Sequence, residues 1–157
     1  MSEAYTTIAC PLGELLLTAE DGRLTGLFMP AEDVAPPAGA VRDEAAFHAT
    51  RLQLEEYFAG RRTSFDLPLA PAGTAFQQRI WEELQRIAYG RTITYAELAA
   101  RIGRPTAIRA AGAANGANPV SIVIPCHRVI GSNGSLTGYS GGLESKRFLL
   151  DLERAGA

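Results

Sequence analysis

The nine residues Ile122-Val123-Ile124-Pro125-Cys126-His127-Arg128-Val129-Ile130 constrain this chain more than any other stretch. The first three are apolar and uncharged, and they read as a short buried strand. Proline cannot donate to a sheet ladder, so Pro125 ends that strand. The chain then presents a thiol and an imidazole in succession at the mouth of a buried element. A thiolate is a far better nucleophile than a thiol, and a nearby base or positive charge populates it. His127 and Arg128 supply candidates for both. Neighbours along a strand or helix diverge, so a bridging water is the expected link between Cys126 and His127. A lone Cys-His pair is usually an inert thiol beside a satisfied histidine, so the rest of the chain has to decide.

A chain of 157 residues, 46% hydrophobic and 20% charged, is long and apolar enough for a packed core. No apolar run has the length of a membrane span. The start, Met1-Ser2-Glu3-Ala4, lacks a basic region followed by an apolar stretch, so no leader is expected and the location read is cytoplasmic. Cys10 and Cys126 fit a reducing compartment. With only two histidines, the chain shows no close-set metal-ligand pattern, and neither metal nor cofactor is expected. Charge divides unevenly. Residues 1–73 carry 5 basic and 11 acidic residues, a net of −6, whereas residues 74–157 carry 10 basic and 6 acidic, a net of +4. Only the second half suits a polyanion.

Two domains are expected, an N-terminal α/β support domain over 1–73 and a mostly helical domain over 74–157. In the first, 6–9, 14–19 and 24–29 read as strands, with Asp21-Gly22 as a hairpin turn. Residues 30–42 read as a loop, 43–59 as a helix stopped by Gly60, and 65–69 as an edge strand. No catalytic constellation is evident there. Cys10 reads as structural and His48 as a surface residue.

The second half opens on a capping box, Thr74 to Gln77, with Phe76, Ile80, Leu84 and Ile87 on one face of a helix that ends at Tyr89-Gly90. A second box, Thr94 to Glu97, starts a helix stopped by Gly103. Pro105 suits the first turn of the next helix, read over 105–114. The pair reads as helix-turn-helix. The second helix is almost all small residues, including Ala110 and Gly112, with Ile108 expected in the core and Arg109 pointing outward. Such a helix has few groups for reading major-groove base edges but fits closely against a narrow groove. Thr137-Gly138-Tyr139-Ser140-Gly141-Gly142 lacks the Gly-Lys-Ser/Thr ending of a phosphate loop. The last helix, 143–154, has Leu143, Leu149, Leu150 and Leu152 as expected core contacts. Glu153 in its final turn opposes the helix dipole, so it invites a partner, either Arg154 next door or His127.

Pro125-Cys126-His127-Arg128-Val129, preceded by Asn118-Pro119 and followed by Tyr139-Ser140-Gly141-Gly142-Leu143, resembles the methylated-DNA–protein-cysteine methyltransferases, or O6-alkylguanine-DNA alkyltransferases. The resemblance spans Thr74 to Glu153 and touches the first half only in outline. It implies an α+β fold with a winged-helix-like second domain. It also implies that Cys126 takes the alkyl group once and irreversibly, that His127 receives the thiol proton through water, and that Glu153 orients His127. Tyr95 would donate to guanine N3 and Arg109 would replace the extruded base. Asn118 would fix a hinge, and the Cys126 and Val129 carbonyls would accept from the exocyclic amine. Tyr139 would line the pocket and the Ser140 N–H would donate to O6. The implied partner is double-stranded DNA bearing O6-alkylguanine, bound through its minor groove by a monomer. A Cys-His-Glu hydrolase and a helix-turn-helix regulator are the alternative readings.

Overall fold

The computed structural model describes residues 3–157, so the reading made at Met1 and Ser2 lies outside the described residues. Three strands, β1 (Glu3–Cys10), β2 (Gly13–Glu20) and β3 (Arg23–Phe28), form an antiparallel meander, with Ile8 opposite Leu15 and Thr6 opposite Leu17. Asp21 and Gly22 both take positive φ, 53° and 76°, as a type I′ hairpin turn requires. The span read as a loop also contains a 3₁₀ turn, Pro30–Glu32, and a two-residue strand β4 (Val41–Arg42) parallel to β1. The sheet order is β3-β2-β1-β4. Leu15, Leu17, Leu24 and Leu27 fill the core with Phe47 and Leu54. The expected helix over 43–59 is instead a 3₁₀ turn, Ala45–Phe47, followed by α1 (His48–Phe58). His48 is exposed, as expected. The expected edge strand over 65–69 reduces to one bridge, Leu69 beside Leu24.

In the second half, both capping boxes form. The Thr74 and Thr94 hydroxyls accept from the Gln77 and Glu97 backbone N–H at 3.1 Å each, and those side chains accept in return. They open α2 (Ala75–Leu84) and α3 (Tyr95–Arg101). α2 is shorter than read: it stops at Leu84, and Ile87 is buried from the turns beyond it. Just before α3, β5 (Ile93–Thr94) pairs in parallel with β6 (Val129–Ile130), bringing the start of α3 beside the Cys-His stretch. The next helix, α4 (Ile108–Gly116), begins three residues later than expected, because Pro105 sits in the preceding turn. Ile108 thus stands in the first turn, in line with Gly112 and Gly116 on one face. Ile108 is 43% exposed rather than in the core. Trp81 Nε1 donates to the Ala114 carbonyl at 2.8 Å and pins α4 to α2. The last helix is α5 (Leu143–Gly156), with Leu149 and Leu150 buried but Leu143 half-exposed, contrary to expectation.

Ile122–Ile124 is buried, but it is not a strand. The segment coils: Val123 N–H donates to Ser121 O at 2.8 Å and Ile124 N–H to Val120 O at 3.0 Å. Ile122 has φ 71°, an uncommon value for a β-branched residue that costs roughly 1–3 kcal/mol. Asn118 holds the coil. Its amide donates to Ile124 O at 2.8 Å and its carbonyl accepts from Val120 N at 3.0 Å. β3 clasps the same segment from the other half, with Leu27 N–H donating to Pro119 O and Leu27 O accepting from Ser121 N–H.

Candidate active site

The coil delivers Cys126 at the head of a 3₁₀ turn, Cys126–Arg128, and all three of its residues are buried. Burial pushes the Cys126 thiol up to about 11, while the Asn118 amide and the Lys146 charge pull the other way. At neutral pH the sulfur is therefore a thiol that needs a base to become a nucleophile. His127 is fully buried, and its Nε2 lies 2.7 Å from Glu153 Oε2. Burial lowers its pKa, with the Glu153 carboxylate opposing. A neutral imidazole facing a carboxylate carries its proton on Nε2, which leaves Nδ1 as the acceptor. Nδ1 is buried and has no hydrogen-bond partner among the described residues.

Glu153 is buried rather than at the surface, and its partner is not Arg154, which lies 4.0 Å from Asp151. Arg128 holds it bidentately, Nε to Oε1 at 2.7 Å and Nη2 to Oε2 at 3.0 Å, and also donates to the Ile87 carbonyl. Burial alone would raise the Glu153 carboxyl, but the bonds from His127 and Arg128 outweigh it and hold the group at about 2. A fourth bond comes from the first half of the chain. The buried Tyr57 hydroxyl on α1 donates to Glu153 Oε2 at 2.7 Å.

Beside this cluster lies a cavity of about 570 Å³ lined by Tyr95, Ile108, Gly112, Gly116, Thr137, Gly138, Tyr139 and Ser140. Three of the expected substrate-binding residues, Tyr95, Tyr139 and Ser140, thus share one cavity with the small-residue face of α4. Cys126 is 5% exposed and is not itself among the lining residues; Asn115, next to Gly116, donates to its carbonyl at 3.3 Å. Tyr95 OH donates to Thr137 O at 3.0 Å, and Ser140 Oγ to Gly116 O at 2.8 Å, so the glycine-rich loop is tied to both helices of the pair. Gly141 permits close approach to the first half, since a Cβ there would sit 2.6 Å from Met29 Cγ and 2.7 Å from Tyr139 Cε2. Arg109 and Ala110 are exposed, and Arg109 makes no ion pair among the described residues. Val129 is buried, and its carbonyl is engaged by Lys146.

Lys146 escaped the sequence reading. It is fully buried and donates to Val129 O and Thr137 O at 2.6 and 2.8 Å. Burial lowers it to about 8, opposed by Cys126. The available signal was compositional: it is the single lysine among 15 basic residues. Arg128 was read only as a nearby charge and Tyr57 not at all, because their tie to Glu153 is tertiary.

Residues 4–71 match the 6-O-methylguanine DNA methyltransferase, ribonuclease-like domain, and residues 75–155 match the 6-O-methylguanine DNA methyltransferase, DNA binding domain. The chain belongs to the 6-O-methylguanine DNA methyltransferase family. It is 47% identical over 156 residues to the constitutive methylated-DNA–protein-cysteine methyltransferase of Bacillus subtilis, covering 96% of this chain and 94% of that one. It is 48% identical over 153 residues to the Haemophilus influenzae methylated-DNA–protein-cysteine methyltransferase, with 96% and 86% covered. The crystal structure of Mycobacterium tuberculosis OGT in complex with DNA aligns with a TM-score of 0.92 at 47% identity, covering 98% and 94% of the two chains. The mixed α/β fold is thus that of the family. None of its helices is long and apolar enough to cross a membrane among the described residues.

Proposed function

We infer that this protein repairs double-stranded DNA by transferring the alkyl group of O6-alkylguanine to Cys126, once per molecule. The observation that carries the reading is the buried 2.7 Å bond between His127 and Glu153, next in sequence to a buried thiol and with Nδ1 of His127 unpartnered. A thiol held at about 11 needs a base, and a neutral imidazole anchored at Nε2 is one. The thiol proton passes through a water to Nδ1, and Glu153 stabilises the imidazolium that results. Sγ attacks the alkyl carbon in line. The S–C bond forms, the C–O6 bond breaks, and its electron pair leaves on guanine. Tyr95, its hydroxyl exchanging the Thr137 carbonyl for N3, and the Ser140 N–H donating to O6 make the purine a better leaving group. The Cys126 and Val129 carbonyls receive its exocyclic amine, and Tyr139 forms one wall. The thioether product is stable, and no group beside Cys126 offers a route to remove the alkyl group.

Chemistry at O6 requires the nucleotide to leave the stack, at a cost of roughly a few kcal/mol. α4, with Ala110 and Gly112, would lie in the minor groove, and Arg109 would enter the gap left by the base. Asn118 fixes the junction between α4 and the thiol. Two unpaired cysteines suit a reducing, cytoplasmic setting.

The test is duplex DNA carrying labelled O6-methylguanine. Label should appear on Cys126 and stop at one equivalent per protein, read by peptide mass spectrometry. Repeated turnover, or lesion loss with unmodified Cys126, would overturn the reading. Arg109→Ala should slow repair of duplex DNA by roughly tenfold, the equivalent of about 1.4 kcal/mol of the extrusion cost, and leave reaction with the free base unchanged. Equal losses on both substrates would count against base extrusion by Arg109.

A further inference from the structure

The oxygen of Glu153 that binds His127 is shared. Oε2 accepts from His127 Nε2 at 2.7 Å, from Tyr57 OH at 2.7 Å and from Arg128 Nη2 at 3.0 Å. Tyr57 lies on α1, 96 residues away in sequence, in the half of the chain that otherwise contributes sheet and packing. Its ring is fully buried and would be held without the hydroxyl. Phe58 and Phe65 lie 5.3 Å away between centroids, and Tyr89 meets it edge-on at 6.4 Å. A phenylalanine would serve that packing. The hydroxyl, by contrast, reaches the same carboxylate oxygen that faces the imidazole.

We propose that Tyr57 is a positioning residue for alkyl transfer, acting through Glu153 to set the orientation and basicity of His127. This rests on the Cys126–His127–Glu153 relay inferred above. Two effects follow from a third donor on one oxygen. The carboxylate is fixed against rotation about its last bond, so the imidazole is held at Nε2 in one orientation, with Nδ1 left unpartnered. The donated proton also draws charge from Oε2, which weakens the carboxylate's stabilisation of imidazolium. The other groups facing this site act as a fixed background. Arg128 and Lys146 both disfavour a charged His127, and Tyr89 stands near Tyr57 and Glu153. Tyr57 itself stays un-ionised, because burial and the adjacent Glu153 charge raise it far out of range.

Transfer requires neutral His127, so the acid limb of its pH–rate profile reports the imidazole. Tyr57→Phe keeps the ring and removes the donor. His127 should then protonate more readily, so the acid limb should move to higher pH, and the plateau rate constant should fall roughly fivefold, the rate equivalent of one buried hydrogen bond. Placing 3-fluorotyrosine at position 57 makes a stronger donor on the same framework, and the limb should move to lower pH. This second substitution keeps ring and hydroxyl, so it reports even if the phenylalanine variant folds poorly. A merely structural tyrosine would lower the unfolding temperature of the phenylalanine variant and leave the acid limb in place with both substitutions; that result overturns the proposal. Glu153→Gln, measured alongside, separates the two layers. If it abolishes transfer while neither Tyr57 substitution moves the limb, the relay stands and Tyr57 is packing. If it reacts like the unmodified protein, the relay is wrong and Tyr57's role falls with it.

Discussion

Cys126→Ser should lower the rate of alkyl transfer by at least roughly 10⁴-fold and leave affinity for the damaged duplex nearly unchanged. The two atoms differ little in size, so the 3₁₀ turn and the cavity persist. They differ greatly in chemistry. The site already holds its nucleophile protonated, with Cys126 at about 11 because of burial. An alcohol at the same place is a far weaker acid, and a neutral imidazole activates it far less readily than a thiol. Nor does the site hold much positive charge in reserve for an alkoxide. Arg128 is committed to Glu153, and Lys146 to two backbone carbonyls. Single-turnover kinetics on labelled duplex, with a gel-shift titration of the same lesion, measures both halves of the expectation. Transfer surviving within a hundredfold would mean that residue 126 is not the acceptor. Loss of binding in step with transfer would mean that the substitution had disturbed the fold.

The legible parts of this fold were the local ones. Thr74 with Gln77 and Thr94 with Glu97 declare helix starts within four residues, and Asp21-Gly22 declares a turn within two, because the hydrogen bonds or dihedrals concerned close inside those windows. Ile122–Ile124 failed for the opposite reason. Its apolar pattern correctly indicated burial, but its backbone path is set by the Asn118 side chain and by β3, which three apolar residues cannot encode. The same limit separates the parts of the site. Cys126 and His127 stand in one motif, whereas Tyr95 and Ser140 are marked only by family resemblance, and the cavity that joins them with Tyr139 is tertiary. Lys146, on a helix read for its leucines and Glu153, and Tyr57, on a helix read as support, carry no local mark of their roles. Ile108, the long apolar side chain of a small-residue helix, reads as core, but it stands in line with Gly112 and Gly116 and so forms part of the cavity wall.

Arg128→Met should be the most destabilising single change near the site, by about 3–5 kcal/mol at neutral pH. The methionine roughly preserves the apolar stem, so the loss is electrostatic. It strips Glu153 of its bidentate partner and the Ile87 carbonyl of its donor, leaving a buried carboxylate held by His127 and Tyr57 alone. At roughly 2–4 °C per kcal/mol for a domain of this size, the unfolding midpoint should fall by about 10 °C. The pH dependence identifies the cause. Glu153 is depressed in the folded protein from 4.5 to about 2, so it contributes stability that is full above 4.5 and is lost as pH falls through about 2. Without Arg128, burial dominates and that depression shrinks or reverses. The two proteins should therefore differ most at pH 7 and converge as pH drops from 4.5 toward 2. Urea unfolding across that window checks it. A gap that stays constant with pH would assign the loss to packing instead of charge. The paired substitution Arg128→Met with Glu153→Met should recover much of the stability, since neither charge is then left buried alone, while transfer is lost for want of a carboxylate behind His127.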